Sequence, residues 1–94
     1  MIVSVRSQKC LTVQNEKDKV GTLVVQMNPL KDNPAQLWEL QHQGGTLYII
    51  KSHLKEGLFL GIKGNSMDEN ASVVVTDQEE YAFWRVIGEL EVNV

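Results

Sequence analysis

Apolar residues in this chain come in short runs and alternate with polar ones. They do not recur at the three-and-four spacing of a helix. Glu89–Val94 shows the pattern at its strictest, with Leu90, Val92 and Val94 set against Glu89, Glu91 and Asn93. Side chains of a strand point to opposite faces in turn, so this is the signature of a half-buried strand. No stretch keeps an i, i+3, i+4, i+7 apolar pattern for three turns, which argues against helices. Runs rich in β-branched and aromatic residues predict strands near Ile2–Arg6, Cys10–Val13, Leu23–Met27, Leu37–Gln41, Thr46–Lys51, Phe59–Ile62, Val73–Thr76 and Phe83–Ile87, with Glu89–Val94 as a ninth. Turn formers separate them: Gly21, Gly44-Gly45, Glu56-Gly57 and Gly64-Asn65-Ser66, while Asn28-Pro29 and Asn33-Pro34 bracket a longer loop. The pattern predicts an all-β chain of short strands.

The runs repeat. "CLTV" at Cys10–Val13 matches "FLGI" at Phe59–Ile62, "TLVVQ" at Thr22–Gln26 matches "SVVVT" at Ser72–Thr76, and "LWEL" at Leu37–Leu40 matches "FWRV" at Phe83–Val86. Order is kept, and spacing agrees within a loop-length change: Leu11 and Leu60 stand 49 apart, Trp38 and Trp84 stand 46 apart. Self-similarity of this kind marks a duplicated structural unit. One domain over 1–94 is expected, with repeat one about 1–42, repeat two about 43–88, and an extra strand at 89–94. Both tryptophans of the chain close a unit. On a strand Trp38 and Leu40 face one way, Leu37 and Glu39 the other. Each indole is expected to seal its unit against the core, with its N–H seeking a partner.

A four-strand unit that follows "GTLVVQMN" and ends in Gln36-Leu37-Trp38 resembles the ricin-B-type lectins, which are β-trefoils. The second half, "LYIIKSHLKEGLFLGIKGNSMDENASVVVTDQEEYAFWRV", is similar to the mushroom branch of that family, small lectins for galactosyl glycans. The resemblance implies a non-catalytic carbohydrate-binding protein. It departs from the family in two respects. A trefoil has three units and this chain repeats twice, so open strand edges are expected. The fold class expected is therefore all-β and β-trefoil-like, with two four-strand repeats instead of three, completed by oligomerisation or strand exchange, most simply as a homodimer. The sugar-binding set is also eroded. Where the family has an aspartate, this chain has Thr12 and Gly61; the aromatic platform falls near Gln26; the Asn-Gln pair reads Ala35-Gln36 and Tyr81-Ala82. Gln36 alone matches, either as a ligand or as a structural tie from loop to backbone.

Carbohydrate recognition is then expected from loop residues that combine amides, acids and an aromatic, because hydroxyls need donors and acceptors together. The candidates are Asn28, Asp32, Asn33 and Gln36 around the first unit's loop, Asp77 and Tyr81 in the second unit's loop, and His53 in the turn "KSHLKEG". Galactose-containing glycans or glycolipids are the partners implied by the resemblance. The alternative reading is a trefoil protease inhibitor acting through Asn28–Pro34, a loop stiffened by two prolines.

Composition narrows the field. At 94 residues the chain is one small domain, which buries only about 60% of its unfolded surface. Net charge is −3 and the lysines are scattered, which excludes nucleic acid as a partner. No apolar run spans a membrane, and the start "MIVSVRSQKC" has no signal-peptide core, so the expected location is cytoplasmic or released without a classical signal. Cys10 is the single cysteine and is expected to be a small buried residue. His42 and His53 have no metal-ligand spacing, and no serine stands in a nucleophile elbow. Neither an enzyme nor a cofactor is expected.

Overall fold

The computed structural model describes residues 1–87. Seven strands run β1 Cys10–Val13, β2 Val24–Met27, β3 Trp38–Gly44, β4 Leu47–Ser52, β5 Phe59–Ile62, β6 Val73–Thr76 and β7 Phe83–Arg85, joined by turns and single 3-10 turns. All pairings are antiparallel: β1 with β2, and β3 with β4, β4 with β5 and β7, β5 with β6. An isolated bridge between Leu23 and Val74 links the two sheets. It is reinforced where Gly21 N–H donates to the Val75 carbonyl at 2.8 Å and Val75 N–H donates to the Thr22 carbonyl at 3.0 Å.

The duplication in sequence is a duplication in geometry. Leu11–Gln26 pairing in β1–β2 has its counterpart in Leu60–Val75 of β5–β6. Ser4 N–H donates to the Lys9 carbonyl at 2.9 Å, and Ser52 N–H donates to the Leu58 carbonyl at 2.9 Å. After β1 the chain enters a 3-10 turn with Asn15 and Glu16 both left-handed (φ 55° and 53°); after β5 it does the same with Gly64 and Asn65 (φ 63° and 54°). Left-handed backbone suits glycine and tolerates asparagine. Three of the four positions hold one of those residues, and Glu16 is the strained exception.

Both tryptophans seal their units by one hydrogen bond. Trp38 Nε1 donates to the Leu11 carbonyl at 3.1 Å, and Trp84 Nε1 donates to the Leu60 carbonyl at 2.9 Å. Trp38 is buried with Val13, Ala35, Ile50, Leu58, Leu60 and Val75 in the main core, and Trp84 packs on its margin. A side chain of this kind contributes roughly 1.5–3 kcal/mol when fully buried. A second, smaller cluster joins Ile49, Phe59 and Ala82 on the opposite face of β4. Cys10 is buried and free.

The expected strand at Ile2–Arg6 is reduced to one bridge between Val3 and Cys10. Gln8 N–H turns back to the Ser4 carbonyl at 2.8 Å with Gln8 left-handed (φ 61°), so the backbone bends before a longer ladder can form. The expected strand at 89–94 lies outside the described residues.

Candidate functional site

In the first unit, the two positions nearest the family's sugar set are committed to the protein. Thr12 is 2% exposed, and its Oγ1 donates to the Cys10 carbonyl at 3.1 Å and accepts from Gln36 Nε2 at 3.2 Å. Gln36 has no exposed surface. Its Nε2 also donates to the Asn28 carbonyl at 2.9 Å, and its Oε1 accepts from Leu30 N–H at 2.8 Å. Gln36 was expected among the sugar-contacting residues; its burial and its full set of internal bonds remove it from that role. It acts as the structural tie that fixes the β2–β3 loop.

In the second unit the corresponding positions are closed by volume. A Cβ on Gly61 would lie 2.6 Å from Thr76 Cγ2, inside contact distance, so no carboxylate fits there while Thr76 stays. Ala82, at the place of Gln36, is 1% exposed and has no polar group to offer. Among the described residues no buried side-chain nitrogen or oxygen lacks a partner. Recognition therefore has to come from exposed groups.

Three loops carry the remaining candidates. Asn28, Asp32 and Asn33 share the β2–β3 loop; Asn33 Oδ1 accepts from Ala35 N–H at 2.9 Å as a cap, and Asp32 is exposed with φ 59°. His53 follows β4, and its backbone N–H donates to the Leu37 carbonyl at 3.0 Å, which attaches it to the end of that same loop. It lines a shallow cavity of about 170 Å³ with Glu39, Lys51, Lys55 and Glu56. Within this cavity Lys51 Nζ stands 3.7 Å from Glu56 Oε1. Asp77 and Tyr81 share the β6–β7 loop, where Tyr81 is 60% exposed and its N–H donates to the Gln78 carbonyl at 3.0 Å.

The fold adds one residue that the sequence patterns did not single out as a ligand, Asn65, and joins it to Gln78 of the loop that carries Asp77 and Tyr81. Asn65 Nδ2 donates to Gln78 Oε1 at 2.9 Å, so the β5–β6 loop is held against the β6–β7 loop by a pair of exposed amides. The signal available was the Gly64-Asn65 turn; its approach to Gln78 is a tertiary event. Among the described residues no group of three or more His, Cys, Asp or Glu side chains is placed to hold a metal ion.

A duplicated β-hairpin unit closed by a tryptophan, with a loop cluster of amides, an acid and a tyrosine, is the architecture of a trefoil lectin-like domain. Residues 1–76 match the family model for the ricin-type beta-trefoil lectin domain-like proteins, and the chain belongs to that family. The family is one of lectin-like, non-catalytic domains. Among solved structures it is similar to the designed 3-fold symmetric protein ThreeFoil, with a TM-score of 0.82 and 24% identity over 92% of this chain. The chain spans 61% of that protein's length, close to two units of three. Among curated proteins no relative matches.

Proposed function

We propose that the chain is a lectin for galactosyl-terminated glycans whose principal sugar site is the β6–β7 loop of the second unit. The observation that carries this reading is the Asn65–Gln78 amide bond at 2.9 Å set beside the exposed Tyr81 and Asp77. Two side-chain amides supply donors and acceptors on one surface, as vicinal hydroxyls require. Asp77 accepts charge-assisted hydrogen bonds from those hydroxyls. The Tyr81 ring offers its face to the apolar side of the pyranose, and its hydroxyl adds a polar handle. Asn28, Asp32 and Asn33 of the β2–β3 loop, which Gln36 fixes from within, make a second, weaker surface with His53 of the second unit, tied to the end of that loop.

A glycan array read together with solution titration tests this. Galactosyl glycans are expected to bind and Tyr81→Ala to weaken them about tenfold or more, the loss of roughly 1.4 kcal/mol. No retention on any galactosyl surface overturns the reading.

Multivalency belongs to the same proposal and comes from a homodimer. Facing cross-strand partners put Trp38, Leu40 and His42 of β3, Tyr48 and Ile50 of β4, and Trp84 of β7 on the core side of one sheet; Val86, two residues on, continues it. Among the described residues of these strands, this side carries no Asp, Glu, Lys or Arg. Trp38 and Ile50 are buried, whereas Leu40 and Val86 are 48% and 46% exposed. Two copies hold four units and a closed trefoil holds three. The copies therefore cover each other's faces and do not rebuild one barrel. Two weak sites on one dimer bind a surface through effective concentration.

One observation favours a second reading, protease inhibition. Gln36 pins both the Asn28 carbonyl and the Leu30 N–H, so Leu30, 54% exposed, is presented on a fixed loop. Serine and cysteine protease assays separate the two readings.

A further inference from the structure

A concavity larger than the one that His53 lines sits outside these loops. It lies in the β1–β2 connection, holds about 380 Å³ and is lined by Gln14, Asn15, Lys17, Lys19, Val20 and Leu23 among others. That is within the range of small-molecule sites. We infer that it is a subsite for a saccharide bearing an anionic group, a sulfate or a carboxylate. The inference rests on the lectin reading above and extends it to ligand charge.

Alternation along the loop selects the sign. Lys17 and Lys19 line the cavity, while Glu16 and Asp18 between and beside them do not, and no carboxylate is part of the wall. The loop as a whole is neutral, two lysines against Glu16 and Asp18, so the positive charge is confined to the cavity wall. Gln14 and Asn15 add amides for ring hydroxyls, and Val20 and Leu23, 56% and 38% exposed, add an apolar wall for the face of the ring. Among the described residues, no hydrogen bond or ion pair engages the side chain of Gln14, Asn15, Lys17 or Lys19.

The cavity is also built in advance. Gln14 N–H donates to the Leu23 carbonyl at 2.9 Å and closes the neck of the loop; Thr22 returns to the Lys19 carbonyl through its N–H at 3.1 Å and its Oγ1 at 2.7 Å. Gly21 N–H donates to the Val75 carbonyl and the Thr22 carbonyl accepts from Val75 N–H, which fastens the loop to the second unit. A loop held at this many points loses little further freedom when a ligand enters.

The second unit supplies an internal comparison. Its β5–β6 loop opens with the same left-handed pair, and Lys63 N–H donates to the Ser72 carbonyl at 2.9 Å as Gln14 does to Leu23. Forty-nine positions on, however, Lys17 is replaced by Ser66 and Lys19 by Asp68. The same scaffold thus occurs once with ammonium groups at these two positions and once with a hydroxyl and a carboxylate there, its single lysine, Lys63, standing at the place of Gln14.

Titration of the 94-residue chain, followed by amide NMR, tests the assignment with sulfated galactose, sialyllactose and lactose as probes. The sulfated or sialylated sugar is expected to bind about tenfold tighter than lactose at about 0.01 M salt, and to lose that preference at about 1 M, where the screening length falls from about 30 Å to about 3 Å. Shifts should map to 14–23. The double variant Lys17→Ser/Lys19→Asp, which writes the second unit's residues into the first, should abolish the preference and leave lactose binding intact. Tyr81→Ala should do the reverse. Equal affinity for charged and neutral sugars, shifts confined to other loops, or a preference that survives the double variant overturns the subsite and leaves the lectin reading standing. Failure of all three sugars to bind overturns both.

Discussion

Trp38 and Trp84 make the same hydrogen bond at different depths. Each indole donates to the carbonyl of the leucine that opens its unit, yet Trp38 is 7% exposed and Trp84 is only half-buried. Removing the N–H strands a backbone acceptor in the core in the first case and near solvent in the second. An unpaired buried acceptor costs about 1–3 kcal/mol, to which the lost ring volume adds. Trp38→Phe is therefore expected to cost about 2–3 kcal/mol and Trp84→Phe about half as much, read as shifts in urea midpoint by circular dichroism. Equal losses would show that the two indoles are equally buried in solution. Gln36 illustrates the same economy of polar groups. Its identity was readable from the sequence, but whether it served a ligand or the loop depended on its partners: Asn28 and Leu30 of the same loop, and Thr12 on the distant β1.

At the scale of strands, the equivalence of β1–β2 and β5–β6 is close in backbone and divergent in side chains. Gly61 stands where the first unit has Thr12, and the methyl of Thr76 occupies the space a Cβ would need. Overpacking a tight strand pair costs about 1–3 kcal/mol. Gly61→Ala should destabilise by that amount, and Thr76→Ser in the same chain should restore most of it, because the clashing atom is the threonine methyl. The double-mutant cycle measures the coupling directly; additive losses would refute the contact. Strand positions of β1, β5 and β6 follow the sequence pattern to the residue, since alternation and β-branching act locally. The ends of β2, β3, β4 and β7 shift by one to three residues, and Ile2–Arg6 shrinks to a bridge, because ladder length depends on a partner that local pattern does not specify.

At the scale of the whole molecule, the core face of β3, β4 and β7 continues past the point where the described residues cover it. Among the described residues β3 and β7 each pair on one side only, with β4. Leu40 and Val86 are then exposed where the pattern that produced Trp38 and Ile50 would bury them. The 94-residue chain is expected to sediment at twice its 10.6 kDa, and Leu40→Glu to return it to the monomer mass while keeping its β-sheet spectrum, since a charge on an exposed edge disturbs association more than folding. A wild-type chain that sediments as a monomer at all concentrations would refute the homodimer. Met67→Glu, at a fully exposed position, serves as the control. The sequence by itself determined the strand content, the duplication, the two tryptophan seals and the family, because all of these rest on period-two alternation and on spacing, which are local or repeat in order along the chain. Only the tertiary structure decided that Gln36 faces inward, that Asn65 reaches Gln78, that Lys17 and Lys19 share a cavity, and that Leu40 and Val86 are exposed. Each of those depends on which distant segments come within a few ångströms of one another, and packing across the two units settles that.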